Sequence, residues 1–237
     1  MISSELGSRG MGQDAQGGHA PDVRRIYDRR FDDDARRAKD AVWRVLVEEY
    51  FQEWVRPTDT VLDIGCGFGE FLNHLRCARR IGIDLNPDSH AALDSSIEFH
   101  SGDATNLAFA ADESVNVVFT SNFMEHLPSK RAVEEMIDEV RRVLVPGGVF
   151  VALGPNVRVI PGAYWDFWDH FVPISDRSLT ELLETRGFRV VDAHPRFLPY
   201  TTQSALPKWR WLVRLYLRMP AAWRCFGAQF LIRAQRA

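Results

Sequence analysis

Residues 61–70 read VLDIGCGFGE, and this stretch decides the fold. The apolar, β-branched run TVLDI at 60–64 predicts a buried strand, and glycines at alternate positions from Gly65 predict a tight turn into the next element. Backbone N–H groups at such a turn can approach a ligand closely. Asp63, just before the turn, would repel a pyrophosphate and attract a cation, such as an ammonium or a sulfonium group. The turn is therefore expected to hold a positively charged ligand.

Strand and helix patterns alternate along the rest of the chain. Further strands are predicted at 80–85, 97–100, 115–121, 149–154, 188–194 and 227–235. Helices are predicted at 22–53, 69–78, 131–144 and 178–187. Strands that alternate with helices form mostly parallel sheets with helices on both faces, so the pattern predicts an α/β fold.

Acidic residues follow the predicted strands in order. Asp84 closes the second strand, 21 residues after Asp63, and Asp103 lies just beyond the third. The carboxyl ends of parallel strands share one edge of the sheet, so these acids are expected to converge. A carboxylate in the position of Asp84 can accept both hydroxyls of a ribose. The expected ligand is a cationic nucleoside, and the Gly-x-Gly-x-Gly spacing disfavours a dinucleotide.

Five segments in the right order resemble the motifs of class I S-adenosylmethionine-dependent methyltransferases. They are VLDIGCGFGE, GIDLNP, SGDATNLAF, NVVFTSNFMEHL and RRVLVPGGVFVAL, and they span about residues 59–155. The resemblance implies a Rossmann-like sheet of seven strands in the order 3-2-1-4-5-7-6, with the last strand antiparallel. It also implies S-adenosylmethionine as the cofactor and S-adenosylhomocysteine as the product.

The resemblance further implies which residues hold the cofactor. They are Tyr27, Asp63, Gly65, Cys66, Gly67, Asp84, Leu85, Asp103, Ala104 and Asn122. In this set the glycine turn approaches the methionine part, Asp63 orients its amino group and Asp84 binds the ribose. Tyr27 belongs to a predicted N-terminal helix that closes over the cofactor, and ordinary packing within that helix is the alternative. Cys66 is interpreted as a small packed residue of the turn rather than as a nucleophile.

Methyl transfer to a hydroxyl needs a positioned acceptor and a base. His126, after the fourth strand, and His170, after the fifth, are the catalytic candidates, and hydrogen bonds that fix their loops are the alternative. The candidate acceptor pocket consists of Tyr164, Trp165, Trp168, Asp169 and Tyr200. The predicted function is methyl transfer to a small-molecule or glycan acceptor, at a hydroxyl oxygen. N- or C-methylation and a non-catalytic nucleoside-binding module remain open.

Metal binding and disulfides are not predicted. Glu125, Asp166, Asp169 and His126 could hold a divalent cation, but their spacing is not diagnostic of a metal site. The three cysteines are an odd number without metal-ligand spacing. A reduced cytoplasmic protein is therefore expected.

One domain is expected between residues 22 and 237, with a cap helix at 22–53 and lid segments at 155–176 and 195–226. Residues 1–21 are rich in Gly, Ser and Gln and lack the apolar core of a secretory signal, so disorder is expected there. The chain has no uncharged apolar run long enough for a membrane span.

The formal net charge of the chain is −3, and the charged residues are unevenly distributed along it. Beyond Asp192 the chain carries basic residues and no acidic ones, and in KWRWLVRLYLRMP (208–220) three arginines recur every four residues. This segment is either an interfacial helix that rests on anionic lipid or a lid helix packed on its own domain. Nucleic acid is not an expected partner, because the body is acidic and SNFM stands after the fourth strand in place of a base-methylation motif.

Overall fold

The computed structural model describes residues 33–200 and 209–237 of the chain. Its strands are β1 (Thr60–Ile64), β2 (Arg79–Asp84), β3 (Glu98–Ser101), β4 (Val115–Ser121), β5 (Leu144–Pro155), β6 (Phe188–His194) and β7 (Gln229–Arg236). The α-helices of these residues are α1 (Asp33–Glu49), α2 (Lys130–Val143), α3 (Asp176–Thr185), α4 (Arg210–Leu217) and α5 (Pro220–Phe226). Single 3-10 turns complete the fold.

All seven strands form one sheet in the order 3-2-1-4-5-7-6. Strands β1 to β5 pair in parallel, and β7 runs antiparallel to both of its neighbours, β5 and β6. The predicted fold is confirmed, including the reversal of the last strand. The parallel pairing brings the carboxyl ends of β1, β2, β4 and β5 to one edge, where ligands bind in open α/β sheets.

Alternate residues of the central strands pack into two apolar layers, one on each face of the sheet. Leu62 and Val118 join α2 and α3 in one layer. Phe119 joins α1, α4 and α5 in the other, where its ring stacks on Phe71 with 3.9 Å between the centroids. With both faces covered, the functional groups of the sheet are confined to its edges.

The predicted helix at 69–78 is wrong. Only a 3-10 turn, Leu72–His74, forms there. The side chain of Asn73 explains the difference, because its amide donates to the carbonyl oxygens of Phe68 and Ala92 and its oxygen accepts from the amide of Asp94. Such side-chain bonds compete with helical ones and tie the segment to the loop after β2.

Two other boundaries differ from the predictions. Strand β5 starts at Leu144, directly after α2, and includes residues 145–148, which lie between the helix predicted at 131–144 and the strand predicted at 149–154. Gly147 takes φ +76° there, a conformation that glycine accommodates without strain. In the predicted cap helix, α1 ends at Glu49 and is followed by a 3-10 turn, Phe51–Trp54, while residues 22–32 lie outside the described residues.

Helix α4 packs on α1 through the predicted arginine stripe. Arg214 pairs with Glu49 at 2.9 Å, and Arg210 and Arg218 lie 3.6 Å from Glu48 and Glu49. These ion pairs favour the prediction of a lid helix packed on its own domain. Trp209 and Trp211 stay exposed and stack on each other, so contact with lipid remains a prediction for this surface. Across residues 33–200 and 209–237, no helix has the length and apolarity needed to cross a bilayer.

Candidate cofactor and acceptor site

The glycine turn after β1 is held in a conformation that side chains disfavour. Gly65, Gly67 and Gly69 have φ of +71°, +51° and +77°. A Cβ on Gly65 would lie 2.3 Å from the ring carbon Cδ2 of Phe123, the second residue after β4. The close approach at Gly65 thus comes from within the chain. It brings the exit of β4 into contact with the turn after β1.

Asp84 is buried beside this turn. Its Oδ2 accepts a hydrogen bond from the amide of Gly67 at 2.9 Å, and its Oδ1 accepts one from the amide of Asn86 at 2.8 Å. Burial raises the pKa of Asp84, and these two bonds oppose the rise. Each oxygen keeps a second lone pair for a ligand hydroxyl. Leu85 follows with 57% of its surface exposed, an apolar face suited to a flat base.

Asp63 makes the turn strongly acidic. Burial raises the pKa of Asp63 well above its usual range, and the charges of Glu70 and Asp84 raise it further, against the lowering effect of Lys39. Lys39 itself pairs with Glu70 at 2.7 Å. Among the described residues, no hydrogen bond ends on the Asp63 carboxylate. Three acids with one nearby ammonium fit a cationic ligand, and S-adenosylmethionine carries both a sulfonium and an ammonium group.

The other predicted cofactor residues have varied surroundings. Asp103 is exposed, and its Oδ1 accepts from the amide of Thr105 at 2.9 Å, while Ala104 is buried. Asn122 takes φ +49° directly after β4. The Cys66 thiol is buried, and its burial raises its pKa, as suits a packed residue. Tyr27 lies outside the described residues.

His126 is oriented by Asp169. Its Nδ1 lies 2.8 Å from the carbonyl oxygen and 3.2 Å from Oδ2 of Asp169. A carbonyl oxygen only accepts, so Nδ1 carries the hydrogen, and the lone pair of the neutral ring is on Nε2. Burial lowers the pKa of His126, but the hydrogen bond to Asp169 and the charge of Glu125 outweigh it, so the pKa is raised.

His170 and Glu125 complete this cluster. The His170 ring meets the His126 ring edge to face, with 4.9 Å between the centroids. Glu125 is buried, and its Oε1 lies 4.0 Å from Nε2 of His126. Burial raises the pKa of Glu125. The coordinating atoms of the three residues all lie within 4.8 Å of one another. We call Glu125, His126 and His170 the imidazole cluster.

The structure separates the predicted acceptor residues into two kinds. Tyr164 is fully buried, and its hydroxyl donates to the carbonyl of Val172 and accepts from the amide of Ile174, so it orders the loop. Trp165 and Trp168 are 52% and 90% exposed. Tyr200 meets the ring of Phe167, which stacks on His170. Asp169 contacts His126 through its carboxylate and its carbonyl oxygen, and a contact with the acceptor remains a prediction.

Sequence reasoning missed Phe123, and it named Glu125 and His170 separately without grouping them. Phe123 and Glu125 follow β4 closely, and the exit of a central parallel strand is the signal that could have found Phe123. The candidate metal set Glu125, Asp166, Asp169 and His126 differs from the cluster that the fold assembles. That cluster contains His170 and neither of the two aspartates.

Comparison with known proteins agrees with this geometry. Residues 62–152 match the family model described as a methyltransferase domain. The chain is 27% identical over 201 residues to a 2-methyl-6-phytyl-1,4-hydroquinone methyltransferase of Synechocystis sp., which covers 76% of this chain and 61% of that protein. It is 34% identical over 139 residues to a probable S-adenosylmethionine-dependent methyltransferase of Mycolicibacterium smegmatis, covering 56% of this chain and 52% of that protein.

The fold has close counterparts among solved structures. A crystal structure of a SAM-dependent methyltransferase from Archaeoglobus fulgidus superimposes with a TM-score of 0.61 at 22% identity, covering 81% of this chain and 92% of that one. The chain spans between half and two thirds of the length of the two curated relatives above. The motif match, the strand order and the acidic glycine turn agree with one another. Residues 62–152 carry a methyltransferase domain, and the chain is similar in sequence and in fold to S-adenosylmethionine-dependent methyltransferases.

Proposed function

We propose that the protein transfers the methyl group of S-adenosylmethionine to a hydroxyl oxygen of a small aromatic acceptor. The observation that carries this proposal is the position of the His126–His170 pair. Phe123 contacts the cofactor turn at Gly65, and the 3-10 turn Met124–His126 follows it at once. The two imidazoles are therefore adjacent to the place where the reactive methyl group is expected.

The proposed role of the His126–His170 pair is to remove the proton of the acceptor hydroxyl. In the transfer, the acceptor oxygen forms a bond to the methyl carbon while the carbon–sulfur bond breaks, and the sulfur keeps the electron pair. The hydroxyl must lose its proton to become a good nucleophile. With Nδ1 of His126 held by Asp169, its Nε2 is the atom that can receive that proton.

An aromatic acceptor is supported by the loop after β5 and by one relative. Trp165 and Trp168 expose their rings on the segment that carries His170. Such rings stack well on planar substrates. The Synechocystis relative is named for a hydroquinone acceptor. An ionised phenol is nucleophilic at oxygen and at the neighbouring ring carbons, so C-methylation of the same acceptor is the second candidate.

A release assay tests the proposal. Purified protein is incubated with S-adenosylmethionine and either hydroquinones, simple sugars or amines, and S-adenosylhomocysteine is quantified by mass spectrometry. We expect release with hydroquinones, and NMR of the product then distinguishes O- from C-methylation. Release only with sugars or amines, or with no acceptor class, would overturn the proposal.

One substitution and its control test whether His126 acts as the base. His126→Asn should lower kcat by about 100-fold and leave the cofactor affinity unchanged, as expected for loss of a base. His90→Asn is the matched control, because His90 is exposed on the loop after β2. Equal losses in the two variants would remove His126 from the reaction.

A further inference from the structure

We propose that Glu125, His126 and His170 bind a divalent transition-metal cation. Three side chains from two segments of the chain place two imidazole nitrogens and a carboxylate oxygen within 4.8 Å of one another. Donors bound to one such cation at ~2.1 Å are separated by about 3–4 Å. Small side-chain rotations would therefore bring all three to coordination distance.

The contact between His126 and Asp169 supports the proposal independently. A histidine that binds a metal usually donates its other ring N–H to a carboxylate or a backbone carbonyl. Asp169 offers both groups to Nδ1 of His126, at 3.2 Å and 2.8 Å. This arrangement fixes the ring and turns the lone pair of Nε2 toward Glu125.

A positive charge nearby would stabilise the ionised form of Glu125. Only 3% of its surface is exposed. Within the described part of the chain, His126 is the sole basic side chain in ion-pair range of the Glu125 carboxylate, at 4.0 Å. An ionised carboxylate is costly to bury without a paired charge. A cation between Glu125 and the two imidazoles would supply that charge.

The backbone around the cluster is fixed before any cation arrives. The carbonyl oxygen of Glu125 accepts hydrogen bonds from the amides of Phe171, at 2.8 Å, and Val172, at 3.2 Å. These bonds clamp the loop that carries His170 to the turn that carries Glu125 and His126. Preorganised ligands lower the cost of closing a metal site.

The donor set indicates the kind of metal. Imidazole nitrogen suits Zn²⁺, Co²⁺ and Fe²⁺, whereas Mg²⁺ and Ca²⁺ prefer oxygen donors throughout. Three protein ligands leave a coordination position open, as in catalytic sites. An acceptor hydroxyl at that position would lose its proton more readily. Because Nε2 of His126 cannot bind the cation and accept a proton at once, ionisation on the cation, with the proton released to solvent, would replace direct transfer to His126 in the proposed methylation.

Cobalt binding tests the site without any acceptor or cofactor. Untagged protein is treated with chelator, dialysed and titrated with Co²⁺, and the visible absorption of bound Co²⁺ is followed, with Zn²⁺ and Mg²⁺ as competitors. We expect one Co²⁺ per chain, displaced by Zn²⁺ and not by Mg²⁺. Because no methyl transfer is measured, failure here and failure of the proposed function are distinguishable.

Substitutions on both segments locate the cation. Glu125→Gln and His170→Asn should each weaken Co²⁺ binding by 10-fold or more, and circular dichroism checks that each variant folds. Glu98→Gln and His100→Asn are matched controls, because these residues form a surface Glu–His pair at 2.8 Å. Binding that survives both cluster substitutions, or that falls equally in the controls, would overturn the proposal.

Discussion

Two groups of side chains with buried carboxylates flank the exit of β4, and they differ in what balances the negative charge. On the β1–β2 side, Asp63, Glu70 and Asp84 have Lys39 as a nearby cation. On the other side, Glu125 faces two imidazoles. The first group lacks nitrogen ligands and fits an organic cation with hydroxyls. The second has the mixed donors that suit proton transfer or a metal ion. Donor type, rather than charge alone, distinguishes the proposed cofactor site from the proposed reaction site.

The largest effect is expected when the Asp84 carboxylate, the proposed ribose ligand of the first group, is removed. Asp84→Ala should weaken S-adenosylmethionine binding by about 100-fold or more, because hydrogen bonds to a charged acceptor contribute ~1.5–3 kcal/mol each and a ribose offers two. Isothermal titration calorimetry measures the affinity. Asp103→Ala is the comparison, since Asp103 is exposed, and its effect should be much smaller. An unchanged affinity in Asp84→Ala would show that the ribose binds elsewhere.

The next largest effect is expected when the contact between Gly65 and Phe123, which connects the two groups, is disturbed. Gly65→Ala would place a Cβ 2.3 Å from the Phe123 ring at φ +71°, so it should lower the free energy of unfolding by about 2–3 kcal/mol. Gly162→Ala is the matched control, because Gly162 has φ −77° and no atom within 4 Å of an added Cβ. Urea unfolding measures both. Equal free energies of unfolding for Gly65→Ala and Gly162→Ala would contradict this prediction and show that the turn adjusts to the added Cβ.

A smaller effect is expected from Asp63→Asn, which should change the stability of the protein and its affinity for the cofactor in opposite directions. Asp63→Asn removes a buried charge that other acids repel, so the cofactor-free protein should gain stability at pH 7, on the order of 1 kcal/mol. The same change removes an attraction for the cationic cofactor and should weaken its binding about 10-fold. Thermal unfolding and calorimetry test the two expectations. A loss of stability on Asp63→Asn would contradict the electrostatic description of the turn.

The pH dependence of this gain follows from the direction of the shift. The pKa of Asp63 is raised in the folded protein, so its contribution to stability is full below its ordinary value of 3.8 and is lost as the pH rises through the raised value. The stability difference between Asp63→Asn and the wild type should therefore grow from acidic to neutral pH. Unfolding at several pH values measures it, and a constant difference would refute it.

The smallest effect lies far from both groups. Arg214→Ala breaks a 2.9 Å pair with Glu49 at a partly exposed site, so the cost in unfolding free energy should stay below about 1 kcal/mol. Cofactor affinity should be unchanged. High salt should reduce the difference between variant and wild type, since it screens surface charge.

The first group could be predicted from sequence because its members are close in the chain. Asp63, Gly65 and Asp84 lie within 22 residues, on two adjacent strands whose carboxyl ends must meet. Their spacing therefore carries the geometry. The alternating pattern predicted most strand boundaries, whereas the strand order was implied by the resemblance to class I methyltransferases.

The imidazole cluster could not be predicted in the same way. His170 is 44 residues from His126, in a loop without regular periodicity, and its position depends on the amide bonds from Phe171 and Val172 to Glu125. Those bonds are tertiary, and no local pattern specifies them. The missing helix at 69–78 has a similar cause, because Asn73 forms bonds across to the loop after β2 that override helical propensity.

The packing of Phe123 on Gly65 gives the two ligands a shared wall. In the proposed arrangement, a methyl donor at the glycine turn and an acceptor at the imidazoles would both contact the same short peptide between β4 and the turn Met124–His126. Trimming that ring, as in Phe123→Ala, should therefore change the KM of both substrates together. Steady-state kinetics, with each substrate varied at a saturating concentration of the other, measures both KM values.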